Sequence, residues 1–383
     1  MSSSPPGPSI FAPYLTPPLS SHLSNLPPTI PLDSLSRTSP TRLQRTALPH
    51  IGTIELVSSA DFEKLYDPLY TASFPRATER ERSDLIVERL AAQARGERAG
   101  LAPYRIVGIR DHAGEAIGAA QFSVLPVPPR RAGQGQGQGQ ETVVPTPDED
   151  RDTGAHETSS RRSMSSTVNF AVPYLQYIYV RAQNRRQDMS EVLHAMVLAV
   201  ASADAAVMEF EDGASSLGAG SLVRTVPFTL FETEPPDHGD DHASRAYALE
   251  RSKIHTSSGG VALVLRRPKP CEGRSHKGEE EILSAHVQPG LEPADPPLTL
   301  VWVIRPSPTS TPDQDYNLTR MGTALIAAYY QSLRDEGFPE KNIRLAERIL
   351  EQRCKGSTFE LIPLAEVKDF SMEKGYLDIR EDD

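Results

Sequence analysis

Glu232 and Glu234 stand two apart in the segment FETEPP. On a strand that spacing sends both side chains to one face, where paired carboxylates repel and one pKa rises. A carboxyl tuned in this way does general acid–base chemistry. A second group of residues is basic. In YIYVRAQNRRQDMSEVLHAMVLAVA an apolar run stops at a turn and another begins, with Arg185 and Arg186 inside the turn. A guanidinium presents a planar fork of donors to a phosphate, and a helix starting there adds unpaired N–H groups. Asp188, in the same turn, opposes an anion by on the order of 1 to 4 kcal/mol per charge pair. With Glu191 three residues on, Asp188 also fits a capping box, so an ordinary helix start would carry the same residues.

Other sets are poorer in chemistry. DHGDDH, from Asp237 to His242, offers carboxylates and imidazoles to a metal, yet an acidic loop opening a helix has the same composition, and no metal is expected. His255 and His286 could be brought together by folding, but no serine sits in a GxSxG elbow. GAGSLV lacks the third glycine of a dinucleotide fingerprint. Cys271 and Cys354 are too few for a disulfide framework and lack the spacing of a zinc site. Ser163, in SRRSMSS, has the basic neighbours of a kinase site.

The elements that must position these residues follow from periodicity. TIELVSS reads as a strand, and Ser59 can cap a following helix with Phe62, Leu65, Tyr66 and Leu69 on one face. ERSDLIVERLAAQA continues helically. YRIVGIRDHAGEAIGAAQFSVL gives two strands around a turn at Asp111 to Glu115. VPYLQYIYV is a strand, SEVLHAMVLAVASADAA a helix apolar nearly all round, and TVPFTLFETE a strand. DDHASRAYALERSKIHTSSG reads as a helix opened by acids and ended by Gly259–Gly260, then GVALVLR and LTLVWVIRP as strands. MGTALIAAYYQSLRDEGF and LAERILEQRC are amphipathic helices. Helices on both faces of a mixed sheet follow.

The rest of the chain bounds the partners. Among 383 residues the formal net charge is −11, which argues against nucleic acid, whose phosphates call for a basic face. No apolar run approaches the roughly 20 residues that span a bilayer, so no membrane is expected and the chain reads as soluble, cytoplasmic or nuclear. Residues 1–50 are dominated by Ser, Pro and Thr and read as a disordered tail; 126–166 and 267–282 read as insertions; 311–383 reads as a helical extension.

The strand ending YIYV, the turn RAQNRRQDMS, the long helix and the strand ending FETE resemble the GNAT superfamily of acetyl-CoA-dependent N-acyltransferases. The resemblance covers roughly residues 54 to 265, with the later strand at 300 to 305. The family's turn is Arg or Gln, two residues, Gly, one residue, then Gly or Ala. Here Arg185 takes the first place, Asp188 the first glycine's and Ser190 the second's, so both glycines are replaced. The resemblance implies a three-layer α/β fold over 51–310. It implies that acetyl-CoA serves as co-substrate, with its pyrophosphate at Arg185, Arg186, Gln187, Asp188 and Ser190 and its thioester along Ile178 and Val180. It further implies that an amine, in a small molecule or a peptide, attacks the thioester directly, with Glu232 or Glu234 as base and Tyr247 as the acid for the leaving thiolate. An acidic strand end and a packed aromatic would present the same three residues. The alternative expectation is a GNAT-like domain without catalysis, serving as a binding or scaffolding module, and Asp188 favours it.

Overall fold

A computed structural model describes residues 8–76, 80–128, 169–208, 224–236, 238–239, 241–268, 280–312 and 315–367. Cys271, Ser163, Asp237, Asp240 and the GAGSLV loop up to residue 223 lie outside the described residues. Among the described residues ten strands form one sheet: β1 (Thr53–Leu56), β2 (Tyr104–Arg110), β3 (Ala116–Val127), β4 (Asn169–Val180), β5 (Arg224–Thr225), β6 (Phe228–Thr233), β7 (Val261–Pro268), β8 (Glu280–Ser284), β9 (Val301–Pro306) and β10 (Thr358–Ile362). Their order is β1-β2-β3-β4-β6-β9-β7-β10, with β5 beside β4 and β8 beside β7. The helices are α1 (Pro17–Leu23), α2 (Pro40–Thr46), α3 (Ser59–Asp61), α4 (Asp67–Ser73), α5 (Ser83–Ala94), α6 (Met189–Val207), α7 (His242–Ser257), α8 (Leu318–Asp335) and α9 (Glu340–Cys354).

The sheet is mixed because of one crossover. β4 pairs with β5 and β6 in parallel, while every other pairing is antiparallel. A parallel pair needs a long return connection, and α6 is the helix of that return. Antiparallel β2 and β3 need only the expected short turn, in which Asp111 Oδ1 accepts from the N–H of Ala113 and Glu115 and Gly114 takes φ +83°.

The helices cover both faces, giving the three layers expected. Alternation along β3 shows how the second face is shared: Ala119 packs with Phe62, Tyr66, Tyr70, Ile86 and Leu90 of the α3–α5 region, and Leu125 and Val127 pack with α8 and α9. Between them, Gln121 and Ser123 are buried and polar, so a polar seam runs between the two helix groups. The first face carries α6. This helix is 19 residues long and contains an 18-residue window of mean hydropathy 1.4, enough by length and composition to cross a membrane, and 78 % of that window is buried inside the protein. A helix apolar nearly all round needs cover on its outer side as well as its inner one.

The N-terminal segment supplies that cover, which corrects the expectation of a disordered tail. Phe11, Leu19, Leu35, Leu43 and Leu48 are buried in the same cluster as α6. Its prolines do not prevent this, because Pro17, Pro18 and Pro40 occupy first turns, where a missing N–H costs nothing, and Ser39 Oγ accepts from Arg42 N to cap α2. Composition averages over a segment, whereas burial needs only a few well-spaced apolar side chains. Leu43→Ala is therefore expected to lower stability by about 2–5 kcal/mol, read as a shifted urea midpoint. An unpacked tail would give no shift.

Smaller departures have local causes. Ser58 rather than Ser59 caps α3, accepting from Asp61 N at 3.1 Å. A π turn over Phe62–Tyr66 then moves the buried stripe to Phe62, Tyr66 and Tyr70, leaving Leu65 and Leu69 half-buried. The expected insertions are narrower, since Pro126 and Val127 pair with β4, and Arg267 and Pro268 pair with Glu281 and Glu280. The C-terminal region is more than a helical extension: β10 adds a strand against β7.

Candidate active site

The parallel strands β4 and β6 are paired only at Tyr174–Leu230 and Leu175–Phe231. Beyond that point β4 stays with β3 as far as Val180, and β6 stays with β9 through Glu232 and Thr233. The two strands therefore part at their C-terminal ends, the place in a parallel sheet where a crevice can admit a ligand. A bulge marks the parting: Gln121 faces Tyr177 and Phe122 faces Leu175, so Gln176 is the extra residue. Its Nε2 donates to the Glu336 carboxylate at 3.0 and 3.3 Å.

Glu232 sits in this opening. Its Oε1 accepts from Tyr174 O–H at 2.5 Å and from Tyr329 O–H at 3.0 Å, and His286 Nε2 lies 2.9 Å away, close enough for an ion pair. The Glu232 side chain keeps 15 % exposure, while His286 has none and stacks on Trp302 at 4.9 Å. Burial alone would push the Glu232 carboxyl up, but the His286 charge and the hydrogen bonds from His286, Tyr174 and Tyr329 outweigh it and hold the group below its ordinary value. Burial, joined by the Glu232 charge, pushes Tyr174 and Tyr329 well above theirs, so both remain protonated donors.

A second carboxyl reaches the seam from the end of α8. Glu336, with 4 % side-chain exposure, accepts from Ser123 Oγ at 3.2 Å and stands 4.0 Å from Arg89 of α5. Burial pushes it up, against the pull of Arg89 and with help from the Glu81 charge. The raised carboxyl expected of the Glu232–Glu234 pair is thus Glu336, and Glu232 moves the other way. Glu234 leaves the site, binding Arg251 of α7 at 2.9 Å. Tyr247 is 64 % exposed, with the Arg251 guanidinium 5.6 Å from its ring centre. Tyr329 and Tyr174 fill the positions around Glu232 instead. No sequence signal singled out Tyr329, Glu336 or His286 for this place, since α8 shows only an amphipathic period.

The basic turn precedes α6. Ile178 and Val180 are half-buried on β4, and Arg185 Nε donates to Val180 O at 3.3 Å from an exposed position. Gln187 Oε1 accepts from Asn184 Nδ2 at 3.1 Å, and Ser190 is exposed. Arg186 (φ 65°) and Asp188 (φ 55°) are the non-glycine residues of positive φ among those described. The turn keeps a left-handed shape suited to glycine, at roughly 1–2 kcal/mol per residue. The capping box does not form. Asp188 makes no side-chain cap, and Glu191 pairs with Arg305. The Asp188 carboxylate instead accepts from Arg42 Nε and Nη2, each at 2.8 Å, and from Thr46 Oγ1 at 2.7 Å. The Arg42 hydrogen bond holds it below its ordinary value. Its negative charge is thus matched by a guanidinium from the N-terminal segment.

The remaining candidates separate. His255 packs on Phe231 at 4.8 Å, on the α6 side of the sheet, and His286 on Trp302, on the α8 side, so folding keeps the two imidazoles apart. Asp241 caps α7 through the N–H groups of Ala243 and Ser244. Cys354 is half-buried, and burial pushes its thiol up to about 11.

No protein-family model matches the chain, and no curated protein matches it. Among solved structures, a histone acetyltransferase HPA2 and related acetyltransferase from Corynebacterium glutamicum is similar at 13 % identity, over 67 % of this chain and 96 % of that one, with a TM-score of 0.26. A likeness at that score carries no weight for function.

Proposed function

We propose that the protein is a GNAT-type acyltransferase that moves the acetyl group of acetyl-CoA to an amine. The observation that carries this reading is the parting of β4 and β6 beyond Leu175 with an ionised Glu232 recessed in the opening. An amine nitrogen attacks the thioester carbonyl, the C–N bond forms, the C–S bond breaks, and Glu232 accepts the proton the nitrogen loses. Tyr174 and Tyr329 hold the carboxylate in place. Glu336, whose pKa is raised, is the nearby group suited to carry a proton for the leaving thiolate. The formal net charge of −11 favours a cationic acceptor, in a small molecule or a peptide.

Arg185, Arg186, Gln187 and Ser190 would hold the coenzyme's pyrophosphate, with Ile178 and Val180 beside its thioester arm. Arg42 answers the objection raised by Asp188, because a carboxylate already paired in bidentate geometry repels an incoming anion less. Calorimetric titration of the full chain with acetyl-CoA tests this. Micromolar binding is expected, with about tenfold loss in Arg42→Gln, which exposes the Asp188 charge, and recovery in Arg42→Gln/Asp188→Gly. No heat in either the wild type or Asp188→Gly removes the enzyme and leaves the second reading, a GNAT-like binding module. The carboxylate of Asp188 in the place of the family's first glycine is the feature that favours that module.

A further inference from the structure

One neighbour of Glu232 takes no part in the transfer itself. His286 follows β8, is wholly buried, and brings Nε2 to 2.9 Å from Glu232 Oε1. Its place is fixed from several sides. Ser284 Oγ accepts from His286 N at 3.0 Å, and Arg353 of α9 donates through Nη1 to His286 O at 3.3 Å. The imidazole lies 13° from parallel to Trp302, with the Tyr329 ring edge-on at 5.0 Å. The approach of Nε2 to Oε1 is close in distance but bent in angle, so it acts through charge and the N–H dipole more than through a straight hydrogen bond.

The two carboxylate oxygens of Glu232 differ. Oε1 is met by Tyr174 O–H at 2.5 Å, by Tyr329 O–H at 3.0 Å and by His286 Nε2. The single Tyr329 proton is shared with Gln288 Oε1, so the bond from Tyr329 holds Oε1 only part of the time. On Oε2 no hydrogen bond ends among the described residues, and it is not a buried atom without a partner, so the 15 % exposure of the side chain lies at that end. The titratable groups turned to the carboxylate are Tyr174 and Tyr177 of β4, Tyr329 of α8 and His286, with Glu336 beyond Tyr174 and Arg353 behind the His286 backbone. Of those in contact, His286 alone can be a cation, and an opposite charge within about 4–6 Å favours the charged form of a carboxyl. Without it, Glu232 would keep the burial that pushes a carboxyl up and lose the largest force that pulls it down.

We propose that His286 is a positioning residue for acyl transfer: its Nε2 holds Glu232 through Oε1, so that Oε2, the oxygen left open to the crevice, takes the proton from the acceptor amine. The inference rests on the acyl-transfer reading of the site. In the proton transfer an amine N–H bond breaks and an O–H bond forms at Oε2. The proton then leaves through the open end, since Oε1 is closed off by the buried side chains of Tyr174, His286 and Tyr329. His286 acts only through Glu232.

Carboxyl NMR on the full chain carrying labelled glutamate, with the Glu232 resonance identified by its loss in Glu232→Gln, tests the contact without any substrate. The Glu232 midpoint is expected below its ordinary value of about 4.3 in the wild type and about one to three pH units higher in His286→Leu. In His286→Gln, whose amide donates to Oε1 without a charge, it should fall between the two. The acid limb of kcat/KM for acetyl transfer should move up by the same amount, with KM for acetyl-CoA unchanged. Trp302, the one tryptophan of the chain, lies against residue 286, and an unshifted emission maximum shows the pocket still packed. If His286→Leu does not fold, the His286→Gln midpoint decides alone. A midpoint unmoved in a packed variant overturns the inference, as does lost turnover with an unmoved limb, the mark of a purely structural role. Failure of the acyl-transfer reading looks different: the midpoints move as expected, yet the wild type transfers no acetyl group, and the role of Oε2 falls with it.

Discussion

Glu232→Gln is expected to lower acetyl transfer by about 10²- to 10⁴-fold and to leave acetyl-CoA affinity unchanged. The substitution is nearly isosteric, and the amide oxygen can accept the same bonds from Tyr174 and Tyr329 that Oε1 accepts now. What it removes is the ability to take a proton. The pH profile separates this base from the other carboxyl. Glu232 is held below its ordinary value, near 4.3 in solution, so it is ionised across the neutral range. As pH falls through its lowered value the carboxylate gains a proton and kcat/KM falls, which places the acid limb below about 4.3. A limb well above that value would belong to a raised carboxyl. Glu336 is the one the seam contains, and then Glu336→Gln, not Glu232→Gln, would abolish turnover.

Much of the frame was legible in the sequence, and the reasons for the gaps are specific. β2, β3 and their turn follow from alternation around Gly114, and α7 is capped by Asp241 and ends before Gly259, where its acids and glycines placed it. Glu232 was legible as a strand-end carboxylate. Its environment was not, because Tyr329 and His286 lie 97 and 54 positions further on and reach it only through the packing of α8 and of the segment after β8. A spacing of two put Glu232 and Glu234 on one face, but Arg251, a helix away, drew the second carboxylate aside. The N-terminal segment was misread for a related reason. Its Ser, Pro and Thr content describes the exposed majority, while α6, apolar on more sides than a sheet can cover, already called for a second covering layer. Asp188 shows the same limit at the level of one residue, since its partner Arg42 is 146 positions earlier.

Asp204→Ala is expected to cost about 3 kcal/mol of folding stability. Asp204 lies near the C-terminal end of that helix, 1 % exposed, and accepts from Arg105 Nε and Nη2 at 3.0 and 2.7 Å, with His22 Nε2 of α1 at 3.3 Å. Three parts of the molecule meet on one carboxylate: the sheet, the crossover helix and the N-terminal segment. Arg105 retains 24 % exposure and recovers some hydration when its partner is removed, which keeps the figure at the lower end for a broken buried pair. Burial would raise the Asp204 pKa, but the bonds from His22 and Arg105 outweigh it and lower it. A carboxyl depressed in the folded state binds its proton more readily when unfolded, so its contribution is complete above about 3.9, the unfolded value, and is lost as pH falls through the lower folded one. Urea midpoints measured downward from pH 5 should therefore fall more steeply in the wild type than in Asp204→Asn, which has no proton to gain. Parallel slopes in the two proteins would mean that the carboxylate is not held by these partners. With the pair in place, Arg105→Ala combined with Asp204→Ala should cost little more than either change alone, since the second substitution removes a partner already lost.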